Sequence, residues 1–209
     1  RDEPRFRFSR VVEFLFWGTK MGRRFSKSLG RKTHGNPQAS ISTLDEEEAI
    51  DLLDSIQKDP FVLILDQVQD PRNLGACLRS ADAAGVDLVI MPSDRSAGLT
   101  DVVRHVASGA AESLPLARAR NLSRFMKKLQ EKGIRLVGTS DQAKKNVFEA
   151  DLKGALGLVV GAEGTGIRRL TAENCDLLIN IPMSGSVECL NVSVATGICL
   201  FEVFRQRIN

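Results

Sequence analysis

The chain has 209 residues, of which 43% are hydrophobic and 26% charged, with a formal net charge of +3; such a chain can bury one good core, so one catalytic-sized domain is expected. No run approaches the roughly 18 apolar residues that span a bilayer as a helix, which argues against a membrane protein and for a soluble one. Cys77, Cys175, Cys189 and Cys199 form no C-x-x-C pair, and His34 and His105 are the only histidines. Reduced thiols of cytoplasmic type are therefore expected, with no metal site.

The charge is unevenly placed. Residues 1 to 35 hold ten Lys or Arg against three acids, and residues 36 to 209 hold 19 against 23. A basic arm on a mildly acidic body fits phosphate attraction, and equally a solvated or disordered tail. Over residues 1–42, Phe6, Phe8, Phe14, Phe16, Trp17 and Phe25 mix with Arg, Lys, Gly and Ser without a sustained period. The Arg-rich character also fits an organellar targeting segment, although three acids interrupt it. The expected division is a poorly structured basic arm over 1–42 and a folded domain over 43–209.

Thr43 followed by Glu46 reads as a capping box, and Ile50, Leu53 and Ile56 continue one helical face toward Pro60. From Phe61 onward, short aliphatic runs alternate with helical patterns, the signature of an α/β domain with a largely parallel sheet. The strand candidates at 61–66, 86–91, 134–139, 156–161 and 177–181 are continuous rather than alternating, so helices should cover both faces of the sheet. Helices are expected at 73–84, 100–110, 121–132, 166–173 and about 190–206. Gly85 and Gly133 fall just past helices, where a positive φ is often required.

In open α/β sheets the ligand lies beyond the carboxyl ends of the strands, so the loops after these strands are the candidates for chemistry. The first runs from Asp66 to Arg79 as DQVQDPRNLGACLR. Here Asn73 could cap the following helix, and Arg79 could grip a phosphate with its planar fork or simply pair with Asp82 on the surface. The second, Gly161-Ala162-Glu163-Gly164-Thr165-Gly166, lets the backbone turn sharply and approach a ligand, yet it is neither the dinucleotide fingerprint nor a P-loop. The third, from Ile181 to Ala195, is a loop of mainly small residues leading into a helix that opens with Asn191. Taken singly, each could be an ordinary cap, turn or buried helix.

Together and in this order they resemble the three motifs of the SpoU (TrmH-type) branch of the SPOUT RNA methyltransferases. That resemblance implies a C-terminal deep trefoil knot, an exception to the rule that chains avoid threading. It implies S-adenosyl-L-methionine as cofactor, held by backbone around Gly161, Ile181 and Leu190, with Met183 and Ser186 closing the pocket. It also implies a homodimer packed through the knot and final helix. The functional side chains map onto Asn73, Arg79, Glu163 and Asn191, with Arg79 as a phosphate clamp and stabiliser of alkoxide charge, the asparagines orienting the network, and Glu163 positioning Arg79 or the ribose.

Within that family the stretch from Phe61 to Arg207 is most similar to enzymes that methylate a guanosine 2′-hydroxyl of 23S rRNA. A tRNA ribose methyltransferase of the same family and a non-catalytic RNA-binding assembly factor are the alternatives. Two departures stand out: Cys189 occupies a position where relatives usually carry Ser, and the first 42 residues do not resemble the folded RNA-binding domain that close relatives carry there.

Overall fold

The computed structural model describes residues 43–208, so the expectations for the basic arm over 1–42 lie outside the described residues. The chain order is α1 (Glu46–Ser55), β1 (Phe61–Asp66), α2 (Pro71–Ala83), β2 (Leu88–Pro92), α3 (Asp101–Ala107), α4 (Ala110–Ser113), β3 (Leu116–Ala119), α5 (Leu122–Glu131), β4 (Arg135–Thr139), β5 (Lys145–Asn146), β6 (Leu156–Gly161), α6 (Arg169–Glu173), β7 (Leu177–Asn180) and α7 (Val192–Arg207).

The seven strands form one sheet in the order β3-β2-β1-β6-β4-β7-β5. Every pairing between them is parallel. Both faces are covered, as the continuous apolar runs require. Along β1, Phe61, Leu63 and Leu65 join one core with Leu74, Cys77 and Leu78 of α2, Val103 of α3, and Cys199, Leu200 and Val203 of α7. The alternate residues Val62 and Ile64 join a second core with Ala49 and Leu53 of α1 and Phe125, Met126 and Leu129 of α5. Six consecutive buried residues in β1 thus serve two cores through the two-residue period of a strand.

Several boundaries differ from the expected ones. The capping box lies two residues later than Thr43–Glu46: Asp45 accepts from the backbone of Glu47 and Glu48, and Glu48 Oε2 accepts from the Asp45 N–H. Helix α2 starts at Pro71 because Asp70 caps it and proline suits the first helical position, so Asn73 is not its cap. The helix expected over 100–110 is split by Ser108 and Gly109, both left-handed. The helix expected from residue 166 begins only at Arg169, after the positive-φ Gly166. Gly85 and Gly133 do adopt positive φ after their helices. Strands β3 and β5, of four and two residues, add to the five strands expected from the apolar runs.

The ends of α7 are held where the site needs them. Its N-terminal half meets α2, where Cys77 Sγ lies 3.5 Å from Thr196 Oγ1. At its other end the Arg207 guanidinium donates to the carbonyls of Asp59, Pro60 and Gly154 and lies 4.6 Å above the Phe61 ring. Among the described residues no helix is long and apolar enough to cross a membrane.

Candidate active site

Strands β1 and β6 pair in register from Phe61–Leu156 to Asp66–Gly161, so the loops that follow them leave the sheet side by side. The Gly161 loop closes on itself: Gly166 donates to Ala162 O at 2.9 Å, and Ala162 donates to Gly166 O at 3.1 Å. A Cβ on Gly161 would lie 2.0 Å from the Gly166 carbonyl carbon, so only glycine permits this closure. Gly164 and Gly166, at φ 78° and 66°, complete the turn and leave Glu163 at its exposed tip.

A buried ion pair fixes this loop to β1. Asp66 is fully buried at the strand end; its Oδ2 accepts the backbone N–H of Arg168 at 3.0 Å and its Oδ1 accepts Arg168 Nε at 2.8 Å. A buried carboxylate requires such compensation. The pair spans 102 residues and sets where Glu163 sits relative to the loop after β1.

Three of the four expected functional side chains meet in one network. Asn73 Nδ2 donates to Glu163 Oε2 at 3.1 Å, and Asn191 Nδ2 donates to Asn73 Oδ1 at 3.0 Å and to Glu163 Oε2 at 3.4 Å. Asn191 also caps α7, its Oδ1 accepting from Ser193 N and Ser193 Oγ. Each asparagine is thereby locked in orientation, and Glu163 Oε1 is left without a hydrogen bond among the described residues.

Arg79 does not join them. It follows Asn73 by six residues, which places it about 9 Å along α2 and about 240° around it, on an exposed face. Within this chain Glu163 therefore contacts the two asparagines and not Arg79. Nor does Arg79 pair with Asp82, whose Oδ1 accepts from Ser113 Oγ instead.

Among the expected cofactor residues, Gly161 is buried beneath its loop, Ile181 and Leu190 are partly buried, and Met183 and Ser186 are exposed on the segment before α7. The backbone N–H groups of residues 183–190 donate to no backbone carbonyl among the described residues. Asn73, Glu163 and Val192 line a cleft of about 580 Å³ together with Gln67 and Arg95. Sequence reasoning assigned no role to Asp66, Arg168, Gln67 or Arg95. For Asp66, an acid ending an otherwise apolar strand was a visible signal; for Arg95 there was none.

An all-parallel α/β domain with a polar network beyond its strand ends is the architecture of an enzyme domain, and the chain belongs to the SpoU rRNA Methylase family, whose sequence pattern matches residues 60–201. It is 52% identical over 202 residues to the 23S rRNA (guanosine-2′-O-)-methyltransferase RlmB of Vibrio vulnificus, a match covering 94% of this chain and 82% of that protein. With the RlmB of Ralstonia nicotianae it shares 57% identity over 157 residues, covering 75% of this chain but only 63% of that protein. Among solved structures it is similar to the SpoU methyltransferase AviRb from Streptomyces viridochromogenes in complex with AdoMet: TM-score 0.69, 29% identity, 74% of this chain and 63% of that one.

Proposed function

We propose that this protein transfers a methyl group from S-adenosylmethionine to the 2′-hydroxyl of a guanosine in 23S rRNA. The reading rests on the Asn73–Glu163–Asn191 network, because three segments distant in sequence converge on one carboxylate at the mouth of the cleft. The names of the RlmB relatives support the substrate. The cytoplasm, where rRNA is assembled in bacteria, is the corresponding location.

The segment from Ile181 to Leu190 suits an adenosyl group. Met183 and Val187 offer exposed apolar surface, and the free backbone N–H groups offer donors for ring and carboxylate acceptors. Gly161, Ile181 and Leu190 would hold the cofactor through backbone, with Met183 and Ser186 closing over it. When bound, it supplies an electrophilic methyl group on a sulfonium.

For the 2′-oxygen to take up that group its proton would have to be accepted, and Glu163 Oε1, left without a hydrogen bond among the described residues, is the carboxylate oxygen that would receive it. Glu163 Oε1 accepts the hydroxyl hydrogen bond and holds the oxygen in line, while Asn73 and Asn191 keep the carboxylate from rotating. Arg79, on the exposed face of α2 and outside that network, would meet RNA phosphate away from the cleft.

We also propose the trefoil knot at the C-terminal end and a homodimer. Val194, Phe201 and Ile208, spaced by seven residues on and just past α7, are 50%, 46% and 64% exposed. Such an apolar stripe on a helix whose other face is buried suits a second copy.

The test is methyl transfer from radiolabelled S-adenosylmethionine to protein-free 23S rRNA and, separately, to bulk tRNA, with nucleoside mapping. Label in the ribose of a 23S guanosine is expected. Label only in tRNA would move the substrate to the alternative class, and no label in either would leave a non-catalytic RNA-binding factor.

A further inference from the structure

Among the described residues three non-glycine residues have positive φ: Gln67, Arg95 and Ser108. Ser108 ends a helix, where the left-handed conformation is common. The other two both line the cleft that holds Asn73 and Glu163. A long side chain in this backbone region is disfavoured, and such residues persist where the surroundings enforce them, often at functional sites.

The surroundings of Arg95 do enforce it. Arg118 reaches under the loop after β2, its guanidinium donating to Ala97 O at 3.0 Å and Pro92 O at 3.4 Å. The Ala97 N–H then donates to Val68 O at 2.9 Å, tying this loop to the one after β1. Arg95 stands exposed at the tip, with no ion pair or hydrogen bond among the described residues. Beside it, Ser96 Oγ is buried without a hydrogen-bond partner, a second uncompensated feature in the same loop.

We infer that Arg95 is a substrate-binding residue that clamps an RNA phosphate next to the target ribose, opposite Glu163. A guanidinium carried on a tethered loop at the wall of a nucleotide-sized cleft can match a phosphodiester with its planar fork. Position in the sheet favours RNA over the cofactor. Arg95 follows β2 and Ile181 follows β7, four strand steps apart in the order given above, or about 19 Å at strand spacing. The inference rests on the proposed methyltransferase reading and adds to it the side from which the RNA strand enters.

The experiment compares the 209-residue protein with its Arg95→Asn and Arg95→Lys variants. Asparagine tolerates positive φ, so the loop keeps its shape without the charge. Three quantities are read: KM and kcat for protein-free 23S rRNA, the salt dependence of RNA binding by anisotropy, and S-adenosylmethionine affinity by calorimetry. Arg95→Asn should raise the RNA KM about tenfold, with a smaller effect on kcat and a salt slope lower by about one phosphate contact. Arg95→Lys should keep the salt slope and recover part of the KM. Cofactor affinity should match the parent in both.

An unchanged KM and salt slope in Arg95→Asn would overturn the inference, as would a loss confined to cofactor affinity. If the parent protein methylates no RNA, the functional reading fails on its own. The anisotropy slope then still decides whether Arg95 meets phosphate.

Discussion

The side-chain amide of Asn191 donates to Asn73 Oδ1 over 3.0 Å and joins two residues 118 positions apart. The same Asn191 caps α7 through its Oδ1. Its two functions can be separated, because aspartate caps as well as asparagine but cannot donate. Asn191→Asp keeps the cap but sets a second carboxylate against Glu163 in place of a donor 3.4 Å away, so it should lower unfolding free energy by about 1 kcal/mol. It should lower methyl transfer about tenfold or more, the equivalent of one lost interaction of about 1.4 kcal/mol. Urea denaturation alongside the radiolabel assay checks both, and normal turnover in this variant would remove the network from the mechanism.

Arg168 is the sole cation on the fully buried Asp66 among the described ion pairs. Arg168→Ala leaves the buried carboxylate with the backbone N–H of residue 168 but no cation, and should cost about 3 kcal/mol in urea denaturation. Asp66→Asn should cost less, because the partly exposed guanidinium it frees can turn to water. The reverse order would show that the pair does not hold the Glu163 loop by the charge on Asp66.

Glu202 on α7 accepts from Arg205 Nε at 2.9 Å and from Gln206 Nε2 at 2.7 Å. The bond from Arg205 holds its carboxyl below the usual range, against the opposing effect of burial. A carboxyl lowered by folding contributes stability that is complete above its unfolded value, about 4.3, and disappears as pH falls through the folded value. The difference in urea midpoint between the parent and Glu202→Gln should therefore be constant above about pH 5 and shrink below about pH 4. A difference that did not change with pH would leave only packing to explain it.

Burial pushes the thiols of Cys77 to about 11 and of Cys175 and Cys199 to about 12, while Cys189 is exposed. At pH 8 each of these three thiols, Cys175 being partly buried and the other two fully, is a thiolate about one part in a thousand or less. A disulfide reagent should find one fast thiol in the native protein, and Cys189→Ser should remove that phase. Saturating S-adenosylmethionine should slow it if the segment before α7 forms the cofactor wall. Several fast thiols would mean that the core around α7 is open in solution.

Legibility differed between strands and loops. The runs FVLILD and LGLVVG are buried along their whole length, so local composition was enough to locate β1 and β6 to the residue. Strand β3, with sequence LARA, has no local signature because it is short and carries Arg118, whose guanidinium among the described residues donates to the carbonyls of Pro92, at the end of β2, and Ala97 in the loop that follows. The split between α3 and α4 was hidden because Ser108 gives no local sign of a left-handed backbone.

By itself the sequence determined the α/β class, the two-sided burial of the sheet, the three motif loops and the family, since these follow from residue type and spacing along the chain. Tertiary structure alone decided that Asn73 donates to Glu163 instead of capping α2, that Arg79 stays outside that network, that Asp66 anchors the Glu163 loop through Arg168, and that Arg95 lines the same cleft as Asn73. These are contacts or placements between segments up to 118 residues apart. No local period encodes them, because what selects a partner for a buried or exposed polar group is which strand ends the sheet order brings together.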